Sequence, residues 1–153
     1  MFFGMIKEEK GLDILIKSFH EVHQNNKDVV LLIAGKNYKT DKKKYTKIID
    51  QLDIKNSCVM HNKYIPENEL CDYYGCADVI VLPYKIIFQS GVLMMSSSFS
   101  VPVIVSDLEP FLDIIENQIN GLVFKVNDVK SLAEKLIFSI NNSEKINSYA
   151  KNN

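Results

Sequence analysis

Arginine is missing from this sequence altogether: all 18 basic side chains among its 153 residues are lysines. The guanidinium group is the usual bidentate clamp for phosphate and carboxylate, so any anion site in this chain is built from lysine or backbone amides. Cysteine is scarce. Its three copies, Cys58, Cys71 and Cys76, show no C-x-x-C spacing, which excludes a disulfide-stapled miniprotein and fits reduced thiols in a cytoplasmic protein. No apolar run reaches the ~18 residues of a membrane span, and the opening MFFGMIKEEKG lacks the basic start, apolar stretch and cleavage site of a signal peptide. Excess positive charge is lacking as well; a net charge of −1 disfavours a nucleic-acid partner. What remains, 46% hydrophobic and 24% charged residues, is an ordinary globular composition of about one domain's length.

The charge is unevenly spread. Residues 27–63 carry nine lysines against four aspartates, a balance of +5, and residues 64–120 one lysine against eight acids, −7. A molecule with one basic edge shows that pattern, and so do solvated faces that vary freely.

Strand-like and helix-like segments alternate along the chain. Residues 1–4 (MFFG) are apolar from the first and read as a strand whose beginning is missing. Leu12, Leu15, Ile16, Phe19 and Val22 recur at helical spacing over 11–24. Residues 29–35 (VVLLIAG) form the continuous apolar run of a parallel strand buried on both faces. A second helix is expected over 41–53, with Tyr45, Ile48, Ile49 and Leu52 inward, followed by a strand over 57–65. Pro66 then opens a helix with Glu67 and Glu69 in its first turn, where the dipole favours acids. Strands at 79–83, 101–106 and 122–124 and helices at 90–99 and 128–140 complete the series.

This alternation predicts an α/β fold, a doubly wound parallel sheet forming a Rossmann-like single domain over residues 1–153. Such sheets bind ligands beyond the carboxyl ends of their strands, here the loops 4–11, 35–41, 62–67, 84–91 and 106–111. Two of them stand out. Residues 4–11 place Lys10 just before a helix, and residues 83–91 (PYKIIFQSG) place Ser90-Gly91 at the start of another. Free N–H groups and the positive dipole end attract an anion there, and a glycine admits its close approach. Ser90 as a plain helix cap is the simpler alternative. No nucleophile–base pair and no cluster with metal-ligand spacing accompanies these loops. His20 and His23, at i and i+3 without a third ligand, read as surface histidines. Cys71 and Cys76, like Met94, Met95 and Phe99, read as packing residues. Lys42-Lys43-Lys44 is a solvated helix face or, less simply, a weak peripheral contact for anionic lipid at the inner face of a membrane.

Four segments occur in order with matching spacing: FFGMIKEEKGLDILIKSF, IPENELCDYYGCADVIVLPY, QSGVLMMSSSFSVPVIVSD and DIIENQINGLVF. Together they resemble the C-terminal domain of the family-four GT-B glycosyltransferases, with its F-x-G-R and K-G opening, its P-x-x-E-L segment, its donor-loop helix before P-V-I, and its N-G ending. The resemblance spans nearly the whole chain. It implies binding of a nucleotide-diphosphate sugar, with no metal or other cofactor, for transfer of a hexose to an acceptor in surface-polysaccharide synthesis. It also implies that Gly4, Lys10, Gln89, Ser90 and Gly91 bind the donor. Lys10, the lysine of the K-G pair, would contact the diphosphate, and the amides around Ser90-Gly91 would support the same group. Positive charge is then placed where negative charge develops on the leaving diphosphate.

The departures are equally specific. The family's arginine falls on Met5, its two glutamates seven residues apart fall on Ile87 and Met95, and Ser100 replaces its glycine before P-V. Gln89-Ser90-Gly91 matches a Q-S-G variant of the loop, in which Gln89 would take over a polar donor contact. The family's N-terminal acceptor domain and the C-terminal helix that crosses back have no counterpart in the residues read. The implied partners are therefore the nucleotide sugar and an acceptor domain or subunit, and the chain alone is expected to bind donor without catalysing transfer. Two other readings stay open. One is a non-catalytic binding subunit, favoured by Met5, Ile87 and Met95. The other is an unrelated receiver- or flavodoxin-like module, although the early strands lack a receiver's acidic cluster.

Overall fold

Apolar runs become strands and periodic stretches become helices, in strict alternation up to the last strand. The computed structural model describes residues 1–39 and 41–151; the side chain of Lys42 also lies outside the described set. In chain order the elements are β1 (Phe2–Phe3), α1 (Leu12–Asn25), β2 (Leu31–Ala34), α2 (Lys42–Gln51), β3 (Cys58–His61), α3 (Leu70–Gly75) and β4 (Ile80–Leu82). There follow α4 (Gly91–Ser98), β5 (Val103–Ser106), α5 (Glu109–Leu112), β6 (Leu122–Phe124), α6 (Val129–Asn141) and α7 (Ser143–Ala150). Single 3-10 turns at Glu8–Lys10, Lys55–Ser57 and Glu67–Glu69 join some of them.

Strands β1-β2-β3 pair in parallel, as do β4-β5-β6. The two sheets meet along β1 and β4, where the Val81 N–H donates to the Met1 carbonyl at 2.9 Å. The spatial order is then β3-β2-β1-β4-β5-β6, and its winding reverses between β1 and β4. Beyond the carboxyl ends of those two strands lies the switch point at which such sheets take their ligands.

Side chains alternate across the strands and divide the core in two. Phe2 packs with Leu15, Phe19, Tyr45, Leu136 and Ile146, from α1, α2, α6 and α7. Phe3 packs with Tyr74, Leu93 and Phe111, from α3, α4 and α5 on the opposite face. Every residue of β4 and β5 is buried, as their apolar runs 80–82 and 103–105 require; the last, Ser106, is buried with its hydroxyl donating to the Tyr84 carbonyl at 2.8 Å.

Several expectations shift. β3 ends at His61, not at residue 65, and the Asn62 side chain instead accepts the Asn37 N–H at 3.0 Å. Residues 143–150 form a helix, α7, that buries Ile146, Tyr149 and Ala150. Cys71 and Cys76 are exposed, because α3 is only six residues long and its inward positions go to Tyr73 and Tyr74. Met94 also faces outward, whereas Met95 and Phe99 pack on the core. Among the described residues no helix is long and apolar enough to cross a membrane.

Candidate functional site

The loops after β1 and β4 are locked together at the switch point. The Lys85 N–H donates to the Glu9 carbonyl at 2.7 Å, and Lys85 Nζ lies 2.9 Å from one carboxylate oxygen of Asp13 and 3.0 Å from the other. Gly11 makes the closest approach. Its φ is +64°, and a side-chain carbon there would fall 1.9 Å from the Pro83 carbonyl oxygen. Only glycine fits a left-handed residue packed on a backbone carbonyl. The K-G spacing thus has a physical cause: Gly11 seats the β1 loop on the β4 loop and fixes where Lys10 stands.

Lys10 closes the 3-10 turn before Gly11 and is half-buried. Its Nζ lies 4.9 Å from the centroid of the Tyr84 ring, a cation–π contact of ~1 kcal/mol or more at such a site. No carboxylate pairs with it among the described residues. Burial, reinforced by the charge of Lys7 and opposed by Glu9, holds its ammonium below the ordinary lysine range. Gly4, with φ +101°, lies beneath. A side-chain carbon there would meet Lys10 Nζ at 3.5 Å and Val92 Cγ2 at 3.1 Å. The ammonium and the first turn of α4 therefore face each other across Gly4.

That turn is built for its position. Ser90 caps α4, its hydroxyl accepting the Leu93 N–H at 3.2 Å. Gly91 follows as the first helical residue, and a side-chain carbon there would meet no atom of the chain within 4 Å. Ser90 is thus a cap, as its sequence position allows, and also borders the space next to Lys10. Gln89 is exposed on the loop before it. Of the five residues implied by the resemblance, Gly4, Lys10, Gln89 and Ser90 lie on the two loops at the switch point, and Gly91 opens α4 directly after the second.

Tyr84, Lys85, Asp13 and Pro83 complete the arrangement, although the sequence assigned them no role. Tyr84 carries the Lys10 contact. Burial pushes its hydroxyl up to about 12 against the opposing effect of the nearby Ser90 side chain, and no hydrogen bond within 3.5 Å reaches that hydroxyl among the described residues. Of the departures from the family pattern, Met5 is exposed, while Ile87 and Met95 pack against the core and bring no polar group to the site. The histidines make local contacts. His23 stacks on Phe19 and bonds Ser57 at 3.1 Å, and His20 bonds Gln24 at 3.0 Å. Lys44 pairs with Glu8 at 2.6 Å. Among the described residues no three His, Cys, Asp or Glu side chains gather as a metal site.

Comparison with known proteins bears on the fold and the family. The C-terminal domain of LpcC, a glycosyl transferase group 1 family protein from Francisella tularensis, superposes with a TM-score of 0.88 at 19% identity, covering 99% of this chain and 79% of that one. HepE of Anabaena superposes with a TM-score of 0.86 at 17% identity, over 99% of this chain and 41% of its own. These likenesses establish the fold. In sequence, the capsular polysaccharide biosynthesis glycosyltransferase CapM of Staphylococcus aureus is 26% identical over 144 residues, 92% of this chain but 36% of CapM, so the chain spans about a third of that relative. The model of the family described as glycosyl transferases group 1 matches residues 1–153 from end to end, and the chain with this lysine-and-helix switch point belongs to that family.

Proposed function

We propose that this domain binds a nucleotide-diphosphate sugar across Gly4, Lys10 and the first turn of α4, as the donor-binding part of a hexosyltransferase of surface-polysaccharide synthesis. One observation carries the reading. Lys10 holds a half-buried ammonium without a carboxylate partner among the described residues, and it faces a helix N-terminus across a glycine. Two anion-attracting elements converging on one spot suit a diphosphate, which carries charge on both phosphoryl groups. HepE, whose fold this chain shares, has been crystallised with UDP and glucose, which supports a nucleotide ligand. CapM's role in capsular polysaccharide synthesis supports the process. Lysine and amides supply the positive charge in this reading, so donor binding needs no metal ion. The acceptor is held by an acceptor domain or a separate subunit.

Calorimetric titration of UDP and of GDP into the chain and into Lys10→Ala tests the proposal. Losing a charge-assisted contact of ~1.5–3 kcal/mol weakens binding by roughly tenfold to a hundredfold, and added EDTA leaves the wild-type affinity unchanged. Absence of binding by both nucleotides, or equal binding by both proteins, refutes it. A second reading, a non-catalytic binding subunit, is favoured by Ile87 and Met95 packing on the core. Hexose transfer by the chain joined to an acceptor domain would exclude that reading.

A further inference from the structure

A cleft of about 400 Å³ lies between the loop 87–90, the first turn of α4, and α5 with the residues that follow it. It is lined in part by Ser90 and Gly91, the residues that open α4. Its walls are apolar, with Ile87, Met94, Phe111 and Ile114 prominent among them, and Gln89 and Ser90 supply the polar side chains. At its mouth Phe88 is 89% exposed, Met94 59% and Ile114 49%, large apolar surfaces that the chain itself leaves uncovered. A hexose bearing a hydroxyl at every position would surrender water here with little to replace it, which is unfavourable. A methyl group would gain from the same burial.

We infer, on the basis of the donor reading above, that the sugar this domain accepts carries a methyl-bearing substituent, a 6-deoxy carbon or an N-acetyl group, lodged in the cleft between the loop 87–90, α4 and α5. The inference concerns the sugar alone. The diphosphate is held by Lys10 and the α4 amides whichever sugar is attached, so nucleotide binding and sugar preference fail separately.

The test compares donors that share a nucleotide. The 153-residue chain is titrated with UDP, UDP-glucose, UDP-6-deoxyglucose and UDP-N-acetylglucosamine, and with GDP, GDP-mannose and GDP-6-deoxymannose, while saturation-transfer NMR reads contact at each ligand proton. At least one methyl-bearing sugar is expected to bind about tenfold more tightly than its fully hydroxylated counterpart, with its methyl protons the most strongly saturated. The 6-deoxy and acetamido arms tell which methyl is used. Ile114→Asn, at a half-exposed position, is expected to bring the ratio back to about one without lowering the melting temperature. Nucleotide binding with a ratio near one in every arm overturns this inference and leaves the donor reading standing, and so does a preference that survives Ile114→Asn. Absence of binding by either nucleotide overturns the donor reading and, with it, this inference.

Discussion

Alanine at Gly11 and alanine at Gly91 are the same chemical change with opposite expected consequences. At Gly11 the backbone is left-handed, with φ +64°, and the added carbon would fall 1.9 Å from the Pro83 carbonyl oxygen and 3.0 Å from its carbon. A left-handed alanine costs ~1–2 kcal/mol. The overlap adds ~1–3 kcal/mol, because a backbone carbonyl cannot swing aside as a side chain can. Together these make about 3 kcal/mol, or, at ~2–4 °C per kcal/mol for a chain of this length, a melting temperature lower by about 6–12 °C. At Gly91 the added carbon meets nothing within 4 Å. Alanine is also the better helix former, so the melt is expected within ~2 °C of the parent or above it. The distinction then reverses for ligand: Gly91→Ala puts a methyl group where a phosphate would approach the amides, and nucleotide affinity falls although stability does not. Thermal melts by circular dichroism and calorimetric titration of the two variants read both quantities. A Gly11→Ala protein that melts with the parent would show that the β1 and β4 loops do not meet as described.

The remaining predictions concern Lys10 and its platform. Burial holds the Lys10 ammonium below its ordinary 10.5, and an anion favours the protonated form. Nucleotide affinity is therefore full near neutrality and declines as pH rises through that lowered pKa, before an exposed lysine would titrate; alkaline binding takes up a proton, which calorimetry in buffers of different ionisation enthalpy detects. An affinity that stays flat up to the ordinary lysine range counts against the clamp. Tyr84→Phe keeps the ring beneath Lys10 and removes a buried hydroxyl with Ser90 nearby but no hydrogen bond within 3.5 Å among the described residues, so stability is expected to stay within ~1 kcal/mol of the parent. A fall in melting temperature of more than about 3 °C would mean that the hydroxyl is bonded after all.

What the sequence showed and what it hid divide along physical lines. The buried strands were legible because a parallel strand covered on both faces is built from an apolar run, as 31–34, 80–82 and 103–105 are. Ser90 and Lys10 were legible because a cap and a cation before a helix are local features. The α7 helix was hidden because its stripe is only Ile146, Tyr149 and Ala150 among polar neighbours. Met94 was misread because α4 is apolar on most sides, so periodicity could not say which residue faces the cleft. The contacts that place Lys10 join residues 72 or more apart, Asp13 to Lys85 and Gly11 to Pro83. No local pattern contains them, and they emerge only once the two loops meet.

The double hold on Lys85 divides the connection between β4 and α4 into two parts of different character. Up to Lys85 the chain is anchored to Glu9 and Asp13; from Ile86 to Gln89 it carries two of the most exposed apolar side chains in the structure, Ile86 and Phe88. The loss of conformational freedom on capturing a ligand, ~1 kcal/mol or more for each residue immobilised, falls on those few residues and not on the cation. In the donor reading proposed above, a diphosphate meets the anchored part of this frame and the group attached to it meets the unanchored stretch. Substitutions at Ile86 and Phe88 are then expected to act on the attached group more than on the diphosphate, which in that reading Lys10 and the α4 amides hold.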